Sequence, residues 1–231
     1  MSSSTPAKKL CIIPARGGSK RIPRKNIKDF LGKPIIAYSI EAALNSGLFD
    51  EVMVSTDDQE IAEVSLVYGA KVPFFRSSVA ASDFATLAEA IEDVKFNYER
   101  RGISFQYICC LLPTAPLVNP AIIIRGFKEL ISNSVDSVRP VVQFSYPIQR
   151  ALRVKNGKIS FFYPENRSVR SQDLEPAFHD AGMLYWMKYN EGLKGDNKYG
   201  FEISEDCAQD IDNETDWKLA ELKFKLMESK I

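Results

Sequence analysis

Long apolar runs are absent from this chain: none approaches the ~18–20 residues that cross a bilayer. The opening Met1–Lys9 is small, polar and basic, and no signal-peptide core follows it. No membrane partner is expected, and the cytoplasm is the expected compartment. Cysteine is scarce: Cys11, Cys109, Cys110 and Cys207 show no Cys-x-x-Cys spacing, and three of them sit in apolar runs. They read as buried reduced thiols rather than metal or redox ligands. Excess charge of either sign is missing as well. Thirty Lys and Arg balance thirty Asp and Glu, so the positive surplus of a typical nucleic-acid binder is not there, and no nucleic-acid partner is expected. Internal repeats and low-complexity stretches are also absent.

What is present is 231 residues, 45% of them hydrophobic, enough for one large domain with a real core. Up to Val142, short apolar runs alternate with helical patterns, which indicates the α/β class with a mostly parallel sheet. Strands are expected over Leu10–Pro14, Glu51–Ser55, Val72–Phe75, Tyr107–Leu112 and Ser137–Val142. One helical pattern opens at Pro34 and closes near Gly47, and another, Asp57–Tyr68, follows a Ser-Thr cap position. Thr86 with Glu89 has capping-box spacing, and Asn119-Pro120 supplies a cap and a first-turn proline. Residues 143–180 then form an excursion within the single domain, rich in aromatic and turn residues, with Asn156-Gly157 as a hairpin signal. Its Phe161, Phe162 and Tyr163 are expected to pack against the main body or a second subunit. Gly182–Lys188 returns as a strand, and Asn213–Ser229 closes the chain as an amphipathic helix.

The most informative stretch is Pro14–Asn26, which follows the first apolar run. Gly17 and Gly18 allow backbone angles that let several N–H groups share one concavity, which suits an anion. Arg16, Lys20, Arg21, Arg24 and Lys25 crowd the same loop, and like charges repel unless a polyanion such as a nucleoside triphosphate sits among them. The stretch is neither a Walker loop nor the G-x-G-x-x-G fingerprint, which argues against a dinucleotide oxidoreductase. A solvated basic loop is the plainer reading. Its position directly after a strand favours phosphate binding, because open α/β sheets bind ligands outside the carboxyl ends of their strands.

Three further groups carry chemistry. In Gln209-Asp210-Ile211-Asp212, alternate residues of an extended chain share a face, so two carboxylates meet and offer hard oxygens to magnesium. The same pattern before a helix also serves as capping and dipole compensation. Leu111-Leu112-Pro113-Thr114-Ala115-Pro116 is a stiff strand end, either a pocket wall or plain topology. Gln149 and Arg150, with Arg167, Arg170, Gln172, Asp173 and His179, gather donors that read a carboxylate or the hydroxyls of a sugar. A surface ion-pair network would use the same residues.

The motifs I-I-P-A-R-G-G-S-K-R-I-P-R-K-N at Ile12–Asn26 and Q-D-I-D at Gln209–Asp212 resemble those of the CMP-nonulosonate cytidylyltransferases, the family of CMP-sialic acid synthetases. P-I-Q-R-A-L at Pro147 and R-S-Q-D-L-E-P-A-F-H-D-A-G at Arg170 look most like its pseudaminic acid branch. The resemblance covers nearly the whole chain. It implies a nucleotide-diphospho-sugar transferase fold, Rossmann-like with a protruding dimerisation excursion, with CTP and a nonulosonic acid as substrates, Mg2+ as cofactor and a homodimer as the assembly. By the same resemblance Ala15, Arg16, Gly17, Gly18, Ser19, Lys20, Arg21, Lys25, Asn26, Arg76 and Ser82 would form the nucleotide site. Arg16 and Lys20 would act with Asp210 and Asp212 in catalysis, and the two aspartates would hold the metal. Gln149, Arg150, Arg170, Gln172, His179 and Tyr185 would meet the sugar, Arg170 in the neighbouring subunit's site.

Two departures bear on the sugar. Sialic acid synthetases usually carry L-Q-P-T-S-P where this chain has Leu112 and Ala115, and an arginine before a Pro-Asn-Gly turn where it has His179, Asp180, Ala181 and Gly182. Both argue against neuraminate. A synthetase for legionaminate, neuraminate or Kdo is the neighbouring reading. A non-catalytic nucleotide-binding regulatory module is the reading from another class, and the retention of both aspartates weighs against it.

Overall fold

The structure is a computed structural model that describes residues 7–82 and 85–229, so the first six residues of the opening stretch lie outside the described residues. In chain order the elements are β1 (Lys9–Pro14), the short ribbon β2 (Asp29–Phe30) and β3 (Lys33–Pro34), α1 (Ile35–Asn45), β4 (Glu51–Ser55), α2 (Gln59–Val67) and α3 (Leu87–Glu99). There follow β5 (Tyr107–Leu111), α4 (Pro120–Ser132), β6 (Ser137–Gln143), the ribbon β7 (Leu152–Lys155) and β8 (Lys158–Phe161), β9 (Phe178–Asp180), β10 (Leu184–Lys188), β11 (Lys198–Glu202) and α5 (Glu214–Glu228).

The main sheet runs β11-β6-β10-β5-β1-β4, with β9 paired to β6. β1 lies parallel between β4 and β5, and β10 is the antiparallel member between β5 and β6. Strands β1, β4, β5 and β10 are largely apolar on both faces because both faces are covered. Cys11 and Ile13 point to a core shared with α1, α2 and α4, while Leu10 and Ile12 point to a second core under α3. The three strand cysteines are buried free thiols, as expected. A third apolar cluster seats α5 through Trp217 and Ala220 against Phe30, Ile35 and Tyr38. No helix among the described residues is long and apolar enough to cross a membrane.

Local chemistry explains where the elements begin. Thr86 forms the capping box with Glu89, Asn119 accepts from Ile122 N–H ahead of Pro120, and Asn213 with Asp216 forms a second capping box for α5. Two sequence expectations are corrected. α2 is capped by Asp58, whose side chain accepts from Ile61 N–H, and not from the Ser55-Thr56 position. Val72–Phe75 is not a strand: only Lys71 bridges Met53, and Pro73, lacking an N–H, ends the pairing there. The excursion grows from a paired stem, with Val141, Val142 and Gln143 of β6 opposite Asp180, His179 and Phe178 of β9. Beyond the stem, Asn156 and Gly157 both take positive φ, 51° and 75°, and close the β7–β8 hairpin.

The chain leaves β1, forms β4 on one side and later returns to form β5 on the other. The crevice at the carboxyl end of β1 is therefore the switch point of the sheet, the place where such folds bind ligands.

Candidate active site

The Pro14–Asn26 loop occupies that crevice. It extends the ladder by one bond, from Ala15 N–H to Ser55 O at 2.9 Å, and then turns away from the sheet. Ala15 is buried beneath it and Gly18 is exposed at its outer edge. Buried Ile22 plugs the loop into the α5 cluster beside Ile211 and Trp217. Asn26 is also buried, and its Nδ2 donates to Arg16 O at 2.9 Å, tying together residues at the two ends of the loop. The glycines are used differently from the expectation. Neither has positive φ; the left-handed residue is Arg24, at φ 53°. Gly17 is needed for close approach instead, since a Cβ there would lie 2.6 Å from Asp58 Oδ2.

This folding leaves a cleft of about 390 Å³ lined by Arg16, Ser19, Lys20, Arg21, Lys25 and Asn26 on one side and by Pro113 and Thr114 on the other. The proline-bracketed strand end is thus a wall of this cleft. Leu112 behind it is fixed by its N–H to Met183 O and by Ser39 Oγ donating to its carbonyl.

The Gln209–Asp212 segment meets the same loop. Arg21 pairs with Asp212 at 2.7 Å, and Lys25 Nζ donates to Ile211 O, between the two aspartates in sequence, at 2.6 Å. Asp210 presents an exposed edge, yet protein packed around its carboxylate strips away hydration and, with the charge of Asp212, holds it above the usual carboxyl range. Lys25 opposes that shift. Its own ammonium is pushed down by burial, against the pull of Asp212 and Asp210. The helix that follows is capped by Asn213 and Asp216, so neither aspartate side chain is needed as its cap. Two crowded carboxylates fit a hard cation that takes its remaining ligands from substrate phosphates and water. Among the described residues no group of three or more His, Cys, Asp or Glu is placed to hold a metal ion alone.

The other expected site residues sit elsewhere. Arg76 is only 8% exposed, and its guanidinium donates to Ser55 Oγ at 3.0 Å and Ser55 O at 2.6 Å rather than lining the cleft. Ser82 meets the site through its carbonyl, 3.4 Å from Arg16 Nη1. Gln149 donates to Glu175 O, Arg150 to Ser171 Oγ, and Arg170 pairs with Asp173, all within the excursion. Gln172 lines a small separate groove there. His179 Nδ1 lies 2.9 Å from Asp180 O, and its ring packs on Phe144. Tyr185 sits on β10 beneath Arg139, its hydroxyl acidity suppressed by burial and by Asp180. The turn next to these two approaches the aspartates: a Cβ on Gly182 would lie 3.6 Å from Asp210 Cγ.

The sequence reading missed Asp57 and Asp58. Asp57 Oδ1 accepts from Gly17 N–H, and Asp58 takes both Nη groups of Arg24. Two adjacent carboxylates at the end of β4, next to a loop with surplus cations, were the signal.

Comparison with known proteins places this geometry. Residues 10–171 match the family model described as Cytidylyltransferase. A pseudaminic acid cytidylyltransferase of Campylobacter jejuni subsp. jejuni serotype O:23/36 (strain 81-176) is 43% identical over 225 residues, 95% of this chain and 97% of that one. An N-acylneuraminate cytidylyltransferase A of Danio rerio is 34% identical, over 91% of this chain and 49% of that one. A CMP:2-keto-3-deoxy-manno-octonic acid synthetase solved with CTP shares the fold, with a TM-score of 0.69 at 18% identity, covering 97% of this chain and 100% of that one. With most of its length matched in this way, the chain belongs to the cytidylyltransferase family.

Proposed function

We propose that the protein transfers CMP from CTP to the anomeric hydroxyl of pseudaminic acid, and that Asp210 and Asp212 hold Mg2+ for the transfer. One observation carries the reading: the cationic loop that lines the cleft at the switch point of the sheet is tied, through Arg21 and Lys25, to a segment bearing two crowded carboxylates. The anomeric hydroxyl gives up its proton to solvent as its oxygen forms a bond to the α-phosphorus of CTP, the bond from that phosphorus to the bridging oxygen of the β-phosphate breaks, and pyrophosphate leaves. Positioning and neutralisation of charge account for catalysis of such a step without a covalent enzyme intermediate. Arg16 and Lys20 bind the phosphates and offset charge on the leaving pyrophosphate. Lys25 orients the aspartate segment through Ile211 O, and Pro113 and Thr114 bound the cleft. A bound Mg2+ supplies Lewis-acid polarisation of phosphate oxygens.

The sugar assignment rests on the similarity to pseudaminic acid cytidylyltransferases across nearly the whole chain. Pyrophosphate release from CTP and Mg2+ tests it, with pseudaminate, legionaminate, neuraminate and Kdo compared and ATP, GTP and UTP as controls. Turnover with pseudaminate and CTP alone is expected. Preference for another of these acids would keep the chemistry and replace the substrate. CTP binding without pyrophosphate release would leave the regulatory module as the reading.

The assembly we propose is a homodimer joined through the excursion. A lone two-stranded ribbon is marginal in water, yet β7 and β8 lie almost wholly exposed, with cross-strand partners Val154 and Ile159 69% and 67% exposed. Tyr146, Phe162 and Tyr163 add to the same apolar surface. Such a dimer would let Arg170 reach the sugar carboxylate in the second subunit's cleft, with Gln149, Arg150 and Gln172 beside it, while His179 and Tyr185 serve their own. In sedimentation the protein is expected at twice the 26.0 kDa chain mass, and Val154→Asp with Ile159→Asp is expected to give monomer. A double variant that stays dimeric would move the interface elsewhere.

A further inference from the structure

Five cations in ten residues must be held apart before any phosphate arrives. Arg24 is the member turned away from the cleft. Its Nη1 donates to Asp58 Oδ2 at 2.5 Å, and its Nη2 to Asp58 Oδ1 at 2.9 Å and Glu60 Oε2 at 2.5 Å. The bond to Arg24 is the main reason the Asp58 carboxyl is held down to about 2. Asp58 also caps α2 through Ile61 N–H, and Gly17 lies directly against it. Next to it, Asp57 accepts from Gly17 N–H at 3.2 Å.

From these contacts we infer that Asp58, with Asp57 beside it, is a positioning residue for the phosphate loop, acting through Arg24 and Gly17; the inference rests on the CTP-dependent reading above. The link is continuous. The start of α2 holds Arg24, the left-handed Arg24 turns the chain into the Lys25–Ile27 turn, and Asn26 in that turn holds the carbonyl of Arg16. Fixing Arg24 and Gly17 from one rigid helix terminus sets the spacing of the cations that face the cleft. It also cancels a charge that would otherwise compete for the same phosphates.

The test uses two substitutions that keep the local backbone. Arg24→Asn preserves a residue that tolerates the left-handed conformation, and Asp58→Asn preserves the helix cap. Each is expected to weaken CTP about tenfold, in calorimetric Kd and in KM, with kcat within about threefold, the scale of lost charge-assisted bonds in a partly exposed site. Because both remove one link, the double variant is expected to be no worse than the worse single one. Melting curves that shift while Kd and KM for CTP stay put would show an ordinary cap and ion pair and overturn the inference. Additive losses in the double variant would overturn it too. Calorimetry reads CTP binding whether or not transfer occurs, so a failure of the proposed reaction is distinguishable from a failure of the clamp.

Discussion

Arg16→Ala is expected to lower turnover by on the order of 10²–10³-fold with little change in melting temperature. The residue follows the last ladder bond of β1, so its backbone is set by the sheet. Asn26 bonds its carbonyl, and that bond survives the substitution because it does not involve the side chain. What is removed is a guanidinium in the wall of the cleft, whose Nη1 makes a long 3.4 Å contact to Ser82 O. A half-exposed cation just past the end of a strand is expected to matter little to folding and, in the proposed reaction, much to an anion that develops charge. Arg16→Lys keeps the charge and loses the planar fork, so partial recovery would separate neutralisation from bidentate geometry. Turnover of Arg16→Ala near that of the wild type would take the loop out of the catalytic account.

Much of this fold is written in local patterns. The apolar run before the basic loop, the capping pairs Thr86–Glu89 and Asn119–Pro120, and the Asn156-Gly157 hairpin each rest on chemistry within a few residues, and each is found in place. Val72–Phe75 misled because its β-branched and aromatic content outweighed one proline, and because the backbone pairing at Lys71 ends before the run begins. The site was legible where residues adjacent in sequence make it, as in the loop and the aspartate pair. It was opaque where the partner comes from afar. Nothing near Arg24 in sequence says that it would turn to Asp58 and Glu60, or that Arg76 would be spent on Ser55. The partners of Arg24 are set by the pairing of β1 with β4, and that of Arg76 by the return of its chain along β4 at the Lys71–Met53 bridge, so neither exists until the sheet forms. The glycines show the same limit. Adjacent glycines suggested unusual backbone angles, whereas Gly17 is dictated by a side chain across the crevice.

Asp210→Asn is expected to separate activity from stability in opposite directions. Turnover should fall by on the order of 10²-fold or more, because half of the carboxylate pair proposed to hold the metal becomes neutral. The metal-free fold should be unharmed or stabilised. Asp210 sits where reduced hydration and the like charge of Asp212 both disfavour its ionised form, against the opposing pull of Lys25 and the Ile211 N–H. Removing that charge relieves the crowding, so the melting temperature should hold or rise, by an amount kept small by the solvent exposure of Asp210. Asp212 differs, because it is already paired with Arg21 at 2.7 Å across a bridge whose side chains are 67% and 43% exposed. That exposed pair is weak enough to be displaced. Asp212→Asn should therefore be close to neutral in melting while still weakening the response to Mg2+. Mn2+ binding, followed by paramagnetic resonance, gives a readout independent of turnover, and both substitutions should reduce it. A lower melting temperature for Asp210→Asn with an unchanged metal titration would return the pair to a structural role at the start of α5. Higher stability with lost turnover would show a fold that tolerates two crowded carboxylates for the sake of the chemistry they perform.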